Sequence, residues 1–329
     1  MSVPTTMRAL QQTSLGGPQD LRLITDAPVP VPGRGEVLVR VAAAGVNFAD
    51  LSRAWGTFRD GPRPPYVAGF EAAGEVVAVG EAVTGPRPGT RVVGVGDGAF
   101  AEYVVLPAAA ALPVPAGWSA EQALGLVVNW PAALAALKPL GRVTAGDTVV
   151  VHAAAGATGQ AAVTLAKHYG ATVVGTASAG KHETVRARGA DHVLDSRADD
   201  LAAELRRLTG GADLVLESAG GGTFAASLAA AKPVTGRVVV YGLAGGEAAL
   251  TNWELVYRYP VQVIGLNLGT LIRAAPGIFG EVAGELAALV AAGVVRPADP
   301  VIHDLAEGPE VLADLAGRAT VGKLALRPR

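Results

Sequence analysis

The rhythm of apolar and polar positions changes twice along the chain. From Met7 to about Leu112 short alternating runs recur, at 36–41, 74–80 and 101–105, with glycine and proline turns between them, as in Pro86-Arg87-Pro88-Gly89. Period-two alternation with closely spaced turn residues predicts a mostly antiparallel β unit, a compact barrel without long helices. Its first strand starts at Met7, and residues 1–6 are expected to form a loose leader. Between Trp118 and Leu140 the pattern turns helical, with Ser119 as N-cap, Glu121 and Gln122 close behind it, and Ala and Leu at helical spacing as far as Pro139.

From Asp147 to about Leu266 strand-like and helical segments alternate. Predicted strands at 148–152, 172–175, 192–194, 213–216, 237–241 and 262–265, with helices between them, specify a doubly wound parallel sheet. One helix at 279–292 and a strand-like run at 323–326 follow, and this tail is expected to return to the first domain. The expected domains are therefore 1–124 with 267–329, and 125–266. The run 261–265 reads as an apolar strand at one end of the sheet, where an open edge invites pairing with a second copy of the chain.

The segment 145–181 carries the most specific chemistry. Val149, Val150 and Val151 lead into a small-residue turn holding Gly156 and Gly159, and an apolar-periodic segment from Ala161 to Tyr169 and a second β-branched run at 172–174 follow. Strand, turn, helix and strand in that order give a dinucleotide-binding reading its required context, although the first glycine position of that fingerprint is here Ala154. Small side chains let a phosphate approach the backbone N–H groups, and the helix behind presents the positive end of its dipole. An ordinary tight turn is the competing reading. About 20 residues further on, an acid would hold a ribose hydroxyl and a basic group a 2′-phosphate. The stretch Thr176-Ala177-Ser178-Ala179-Gly180-Lys181 has no acid and ends in a lysine, which favours NADPH. A solvated lysine in the first turn of the next helix is the alternative.

Composition narrows the partners. Half of the 329 residues are apolar, enough for two domains and a sizeable core. A net charge of −2 without any basic stripe argues against nucleic acid. The absence of cysteine removes disulfides, thiolate catalysis and thiolate metal sites together. The N-terminal residues lack a signal-peptide pattern, and no uninterrupted apolar run reaches the ~18 residues that span a bilayer, so a cytoplasmic protein without a membrane partner is expected.

Six stretches then carry a resemblance: Ala43-Ala44-Gly45-Val46-Asn47-Phe48-Ala49-Asp50, the run from Gly69-Phe70-Glu71 to Gly80, Ala99-Phe100-Ala101-Glu102-Tyr103-Val104, the turn from His152 to Gly159, Gly189-Ala190-Asp191-His192-Val193, and Arg318-Ala319-Thr320-Val321-Gly322-Lys323. In content, order and spacing they resemble the zinc-independent quinone oxidoreductases of the medium-chain dehydrogenase/reductase superfamily, which also includes enoyl reductases. The resemblance covers nearly the whole chain. It implies an α/β protein with a GroES-like β-barrel catalytic domain, a Rossmann-type parallel-sheet domain, a cofactor in the cleft between them, and a homodimer. Hydride would pass from NADPH to a quinone or to the β-carbon of an α,β-unsaturated carbonyl. The zinc-dependent relatives place a histidine after the glycine of the Gly69-Phe70-Glu71 motif; with Phe70 there and no cysteine, no zinc is expected. His152, His168, His182, His192 and His303 are scattered and read as ordinary histidines.

By the same resemblance Asn47 stands near the nicotinamide, where its amide would hold the cofactor or donate to a carbonyl. It is the catalytic candidate; a turn-forming asparagine is the alternative. Ala155, Gly156, Ala157, Thr158 and Gly159 would take the pyrophosphate, and Ser178, Lys181 and Arg318 the 2′-phosphate. Gly242, Leu266 and Asn267 would border the nicotinamide end. Trp55, Phe58, Tyr66, Asn129 and Trp130 are candidates for a substrate wall, each also readable as packing.

Three positions depart from the family pattern. Ser52 and Phe58 replace tyrosines, Ser196 with Arg197 beside it replaces another, and Ala157-Thr158 replaces Gly-Val. Without a side-chain acid, a reduced quinone takes protons from water, and an enone needs only hydride delivery and a stabilised enolate. Two other readings stay open: a tailoring enoyl reductase acting on a biosynthetic, possibly thioester, intermediate, and a non-catalytic NADPH-binding protein.

Overall fold

The N-terminal strands turn most of their apolar residues onto buried cores. The computed structural model describes residues 3–329 and divides into two compact units, one reaching to Val127 and resuming at Pro297, the other spanning Val128–Arg296. In the first unit β1 (Thr6–Gln12), β2 (Leu21–Pro28), β3 (Glu36–Val46), the short helix α1 (Phe48–Ala54), β4 (Tyr66–Val67), β5 (Glu71–Val79), β6 (Arg91–Val95), β7 (Tyr103–Pro107) and β8 (Leu112–Pro113) follow one another. Of the expected leader, Met1 and Ser2 lie outside the described residues, and β1 already begins at Thr6.

The second unit begins with α2 (Asn129–Ala135). Then β9 (Thr148–Val151), α3 (Ala157–His168), β10 (Thr172–Ala177), α4 (His182–Ala187), β11 (His192–Asp195), α5 (Leu201–Thr209), β12 (Leu214–Glu217), α6 (Gly221–Ala230), β13 (Arg237–Val240) and β14 (Gln262–Gly265) alternate. Helices α7 (Leu268–Ala274) and α8 (Pro276–Ala291) complete this unit, and β15 (Val301–Asp304), α9 (Gly308–Ala316) and β16 (Leu324–Arg327) return to the first.

The first unit has a three-stranded sheet, β2-β1-β4, and a seven-stranded one in which β15-β16-β3-β5-β6-β8 run in order and β7 pairs with β3. Both sheets contribute to one core, with Leu10 and Leu21 from the small sheet meeting Val39, Val76, Leu106 and Leu326 from the large one. Each such fully buried side chain contributes ~1.5–3 kcal/mol. The 11-residue β3 is the spine of this unit, because β5, β7 and β16 all pair with it.

The second unit is the expected parallel sheet, in the order β11-β10-β9-β12-β13-β14. Its central strands are covered on both faces, so Val149, Val150, Val151, Leu214, Val215 and Leu216 are fully buried, and continuous apolar runs replace alternation. The chain order reverses between β9 and β12, the position where open α/β sheets hold their ligands at the carboxyl ends of the strands.

Three differences from the sequence reading have clear physical reasons. The helical stretch ahead of β9 is not one helix: Ser119 and Gln122 cap only a single short turn, Glu121–Ala123, and regular α structure waits until Asn129. Pro139 lies inside the wide turn that ends it, Ala136–Leu140. The tail returns at Pro297, thirty residues after the expected Asn267, because α8 buries Val282, Leu286 and Leu289 in the second unit and Glu285 accepts a 2.6 Å hydrogen bond from Tyr169. Helix α7 was hidden in sequence by its shortness. Among the described residues no single helix is long and apolar enough to cross a membrane.

Candidate functional site

Chemistry-bearing residues collect in each unit separately. In the first, β3 ends at Val46 and Asn47 becomes the N-cap of α1, its backbone still extended at φ −134° and ψ 157°. The Asp50 carboxylate accepts the Asn47 backbone N–H at 2.8 Å, which fixes the start of the helix. Glu71 opens β5 and Lys323 immediately precedes β16, and β3 lies between those two strands. Antiparallel register sets Glu71 against Gly45 and Leu324 against Val46, so both charges arrive beside Asn47.

The three side chains form one buried unit. Lys323 Nζ donates to Glu71 Oε2 at 2.6 Å, to Asn47 Oδ1 at 2.9 Å and to the Val46 carbonyl at 3.3 Å. Asn47 Nδ2 donates to Glu71 Oε2 at 2.8 Å, and Glu71 Oε1 accepts the Gly125 N–H at 2.5 Å. Glu71 is 0% exposed, and Asn47 and Lys323 are 7% exposed. Gly45 makes the space: a Cβ there would stand 2.4 Å from Glu71 Oε2 and 3.0 Å from Lys323 Cε. Burial also pushes the Asp50 carboxyl up to about 7, against the opposing pull of the Asn47 N–H, Arg53 and Lys323.

Aromatic residues flank this cluster. The Arg53 guanidinium lies 4.8 Å from the centre of the Phe70 ring and 5.1 Å from that of Phe58, and it pairs with Asp97 at 2.7 Å. Phe48 and Trp55 meet edge to face with centroids 6.4 Å apart. Tyr66 senses Arg53, Asp50 and Asp97, and its phenol is held above the usual range chiefly by burial. Trp55, Phe58 and Tyr66 thus share one region, whereas Asn129 and Trp130 belong to α2 of the other unit. There the Asn129 amide donates to the Thr158 hydroxyl at 2.9 Å, a buttress of the turn.

In the second unit His152 follows β9 and Ala153 takes the left-handed conformation, φ 49°, that turns the chain away from the sheet. Gly156 caps α3, and Gly159 is dictated by packing, since a Cβ there would lie 2.3 Å from the Ala153 carbonyl oxygen. Gln160 Nε2 donates to the Ala155 carbonyl at 2.8 Å, and Gln160 Oε1 accepts from Arg188 Nε at 2.8 Å. Beneath the turn lies a closed polar network. Ser227 donates to Glu217 at 2.6 Å, His152 Nε2 stands 3.0 Å from Ser227 Oγ, and His152 Nδ1 stands 2.9 Å from Thr176 Oγ1. Burial lowers the His152 pKa despite nearby Glu217, so the ring is neutral; Nε2–H then donates to Ser227 and Nδ1 accepts from Thr176. His152 is a structural histidine.

Ser178 stands at the N-cap of the short turn Ala179–Lys181 after β10, and Lys181 is its last residue. Neighbouring β11 delivers Arg197, which lowers the Lys181 pKa in addition to the larger effect of burial. Arg197 was noted in sequence only as a neighbour of Ser196, and the pairing of β10 with β11 is what gives it this place. Gly242 comes so close to the next loop that a Cβ would meet the Ser218 carbonyl oxygen at 2.6 Å. Leu266 is buried, and Asn267 caps α7 by accepting the Thr270 N–H at 2.8 Å. Arg318 follows α9 in the first unit with φ 56°.

Known proteins share this architecture. Residues 33–116 match the alcohol dehydrogenase GroES-like domain and residues 157–286 the zinc-binding dehydrogenase family. Prostaglandin reductase-3 of Bos taurus is 37% identical over 82% of this chain and 70% of its own length. The chain belongs to the medium-chain dehydrogenase/reductase superfamily, in its zinc-independent branch. A mycobacterial protein solved in complex with NADPH superposes with a TM-score of 0.91 at 33% identity, over 98% of this chain and all of that one. The Escherichia coli quinone oxidoreductase complexed with NADPH superposes with a TM-score of 0.88 at 29% identity, again over 98% and 100%.

A zinc ion, which one matching family name implies, does not fit these residues. Phe70 offers no ligand, the chain has no cysteine, and the Lys323 ammonium already neutralises Glu71 beside Asn47. A dinucleotide does fit. The turn from Ala153 to Gly159 carries only small side chains at the mouth of a helix, and two cations converge at the ends of β10 and β11.

The raised Asp50 pKa makes a testable difference. The folded chain binds a proton at Asp50 that the unfolded chain has already lost between about pH 4 and 7, so stability falls as pH rises through that window. The isosteric Asp50→Asn variant keeps an acceptor for the Asn47 N–H and removes the titration. Thermal melts are expected to show Asp50→Asn gaining on the native protein from pH 5 to pH 8, by on the order of 2–4 kcal/mol at the top. A constant difference across this range would place the Asp50 pKa near that of an exposed aspartate.

Proposed function

We propose that the protein is an NADPH-dependent reductase that transfers hydride to a quinone or an α,β-unsaturated carbonyl without a metal. The observation that carries this reading is the pairing of a small-residue turn with the Lys181 and Arg197 cations, which follow the adjacent strands β10 and β11. Bound NADPH supplies the hydride. The backbone of residues 155–159 holds the pyrophosphate, and Thr158, whose oxygen already accepts from Asn129, keeps its proton to donate to a phosphate oxygen. Ser178, Lys181 and Arg197 hold the 2′-phosphate, with Arg318 as a further contact. Gly242, Leu266 and Asn267 border the nicotinamide, and Asn47 presents a fixed amide to the ribose, the carboxamide or the acceptor carbonyl. Trp55, Phe58 and Tyr66 form the acceptor wall. The prostaglandin reductase relative supports a reductase, and the quinone oxidoreductase structure supports a quinone as acceptor.

NADPH oxidation against a panel of quinones, enones and enoyl thioesters, repeated with NADH, tests this reading. Preference for NADPH is expected at about 10-fold or more, falling toward parity in Lys181→Ala and Arg197→Ala, because each removes ~1.5–3 kcal/mol of charge-assisted phosphate contact. Equal use of both cofactors by the native chain would remove the phosphate-site assignment. Binding of NADPH without turnover of any acceptor would favour a non-catalytic role. Turnover confined to thioesters would identify a tailoring enoyl reductase.

Assembly and location belong to the same proposal. Strand β14 ends the sheet with Gln262, Val263 and Gly265 exposed, and Trp253, Val256 and Tyr257 are exposed just before it. Such an edge fits a homodimer, in a cytoplasmic protein. Light scattering at micromolar concentration is expected to give the mass of two chains, and the mass of one chain would exclude it.

A further inference from the structure

A hollow of about 330 Å³ in the first unit is lined by three arginines. Strand register builds it. Arg40 on β3 stands directly opposite Glu75 on β5, and Glu75 stands opposite Arg91 on β6, so three long side chains form one line across the sheet. The floor beside them is bare. Ala42 is the extra residue of a β-bulge between Val41 and Ala43, and Gly74 has no room for a side chain, because a Cβ there would lie 2.0 Å from the Arg40 carbonyl oxygen. Ala120 and the Arg329 side chain close the remaining sides.

The charges around this hollow do not balance. Glu75 Oε2 accepts from Arg40 Nη2 at 2.7 Å, and Arg329 is held by Glu102 at 2.9 Å and by the Tyr103 hydroxyl at 3.1 Å. Arg91 donates to the neutral Trp118 carbonyl at 3.0 Å and, among the described residues, pairs with no carboxylate. A guanidinium carries five N–H donors in a planar fork, so most of the donors lining the hollow have no protein partner among the described residues. An exposed Arg–Glu pair contributes little to stability and needs neither the bare floor nor a second arginine on the same carboxylate. We propose that the hollow binds a small phosphate monoester, at a site separate from the dinucleotide turn of the second unit. Such a group carries a charge of about −1.5 to −2 and three acceptor oxygens, enough to engage two guanidinium forks at once, whereas a lone carboxylate has one charge and two oxygens. The volume stands at the lower end of small-molecule sites, about 300–1,000 Å³, and suits a compact ligand rather than a dinucleotide.

Calorimetric titration of the full chain with glycerol 2-phosphate, and with glycerol as the phosphate-free control, tests this site. The native protein is expected to bind glycerol 2-phosphate saturably with a Kd on the order of 1 mM or tighter, and glycerol to give no saturable signal. Arg91→Gln removes one fork without stranding a carboxylate and is expected to weaken binding about 10-fold or more. Arg40→Gln is expected to weaken it similarly, and decides alone if a thermal melt shows Arg91→Gln unfolded. Two further variants locate the phosphate. Lys181→Ala asks whether it sits at the dinucleotide turn instead, and Arg206→Gln on the exposed end of α5 removes the same charge elsewhere. Because salt screens distant charges, both are expected to stay within about 2-fold of the native Kd. No saturable binding by the native protein would overturn the proposal. So would binding that survives Arg91→Gln and Arg40→Gln but falls in Lys181→Ala, or an equal fall in Arg206→Gln.

Discussion

A carboxylate with no exposed surface cannot remain charged in a protein interior unless something compensates it, and Glu71 is compensated three times: by Lys323, by the Asn47 amide and by the Gly125 N–H. These contacts join the start of β5, the end of β3, the approach to β16 and the segment after residue 123. Residues over 250 positions apart meet in one ion pair, so the return of the C-terminal segment to the first unit is part of the site itself. Gly45 is the cost of that convergence, the one side chain omitted so that the carboxylate and the lysine stem fit against β3.

Each unit spends its polar interior differently. In the first, net charges are buried and paired around an amide. In the second, the network of Ser227, Glu217, His152 and Thr176 joins a helix to the carboxyl ends of three adjacent strands, directly beneath the turn in which Ala153 holds an unfavourable φ. A strained, small-residue turn keeps its shape only if its surroundings over-determine it, and Gln160, Arg188 and Asn129 add further struts. The shape of the turn is thereby fixed in advance, which would reduce the ordering that binding of the proposed phosphate must supply.

The parallel sheet was legible in sequence because its buried strands are continuous β-branched runs and its turn carries a spacing that few other structures need. The place of Lys181 was legible for the same local reason. Other features are set by partners that sequence order does not reveal. The hydrogen bond from Asn129 to Thr158 joins residues that stand 29 positions apart. Arg197 gained its position only through the pairing of β10 with β11. Glu71 and Lys323 stood inside motif stretches without any assigned role, since their significance is a register between strands. The boundary at Asn267 was misplaced because α7 is short and α8, rich in Ala and Gly, resembles a linker as much as a packed helix.

The proposed reaction is direct hydride transfer from NADPH, at a site whose fixed charges belong to the chain rather than to a metal. Its most direct measurement is a single turnover with an enone and NADPH deuterated at the transferable position, in buffer containing a strong chelator, followed by mass analysis of the product. One deuterium at the β-carbon, formed at the same rate with and without chelator, is the predicted result. An unlabelled product, or a rate lost to the chelator and recovered with zinc, would contradict it.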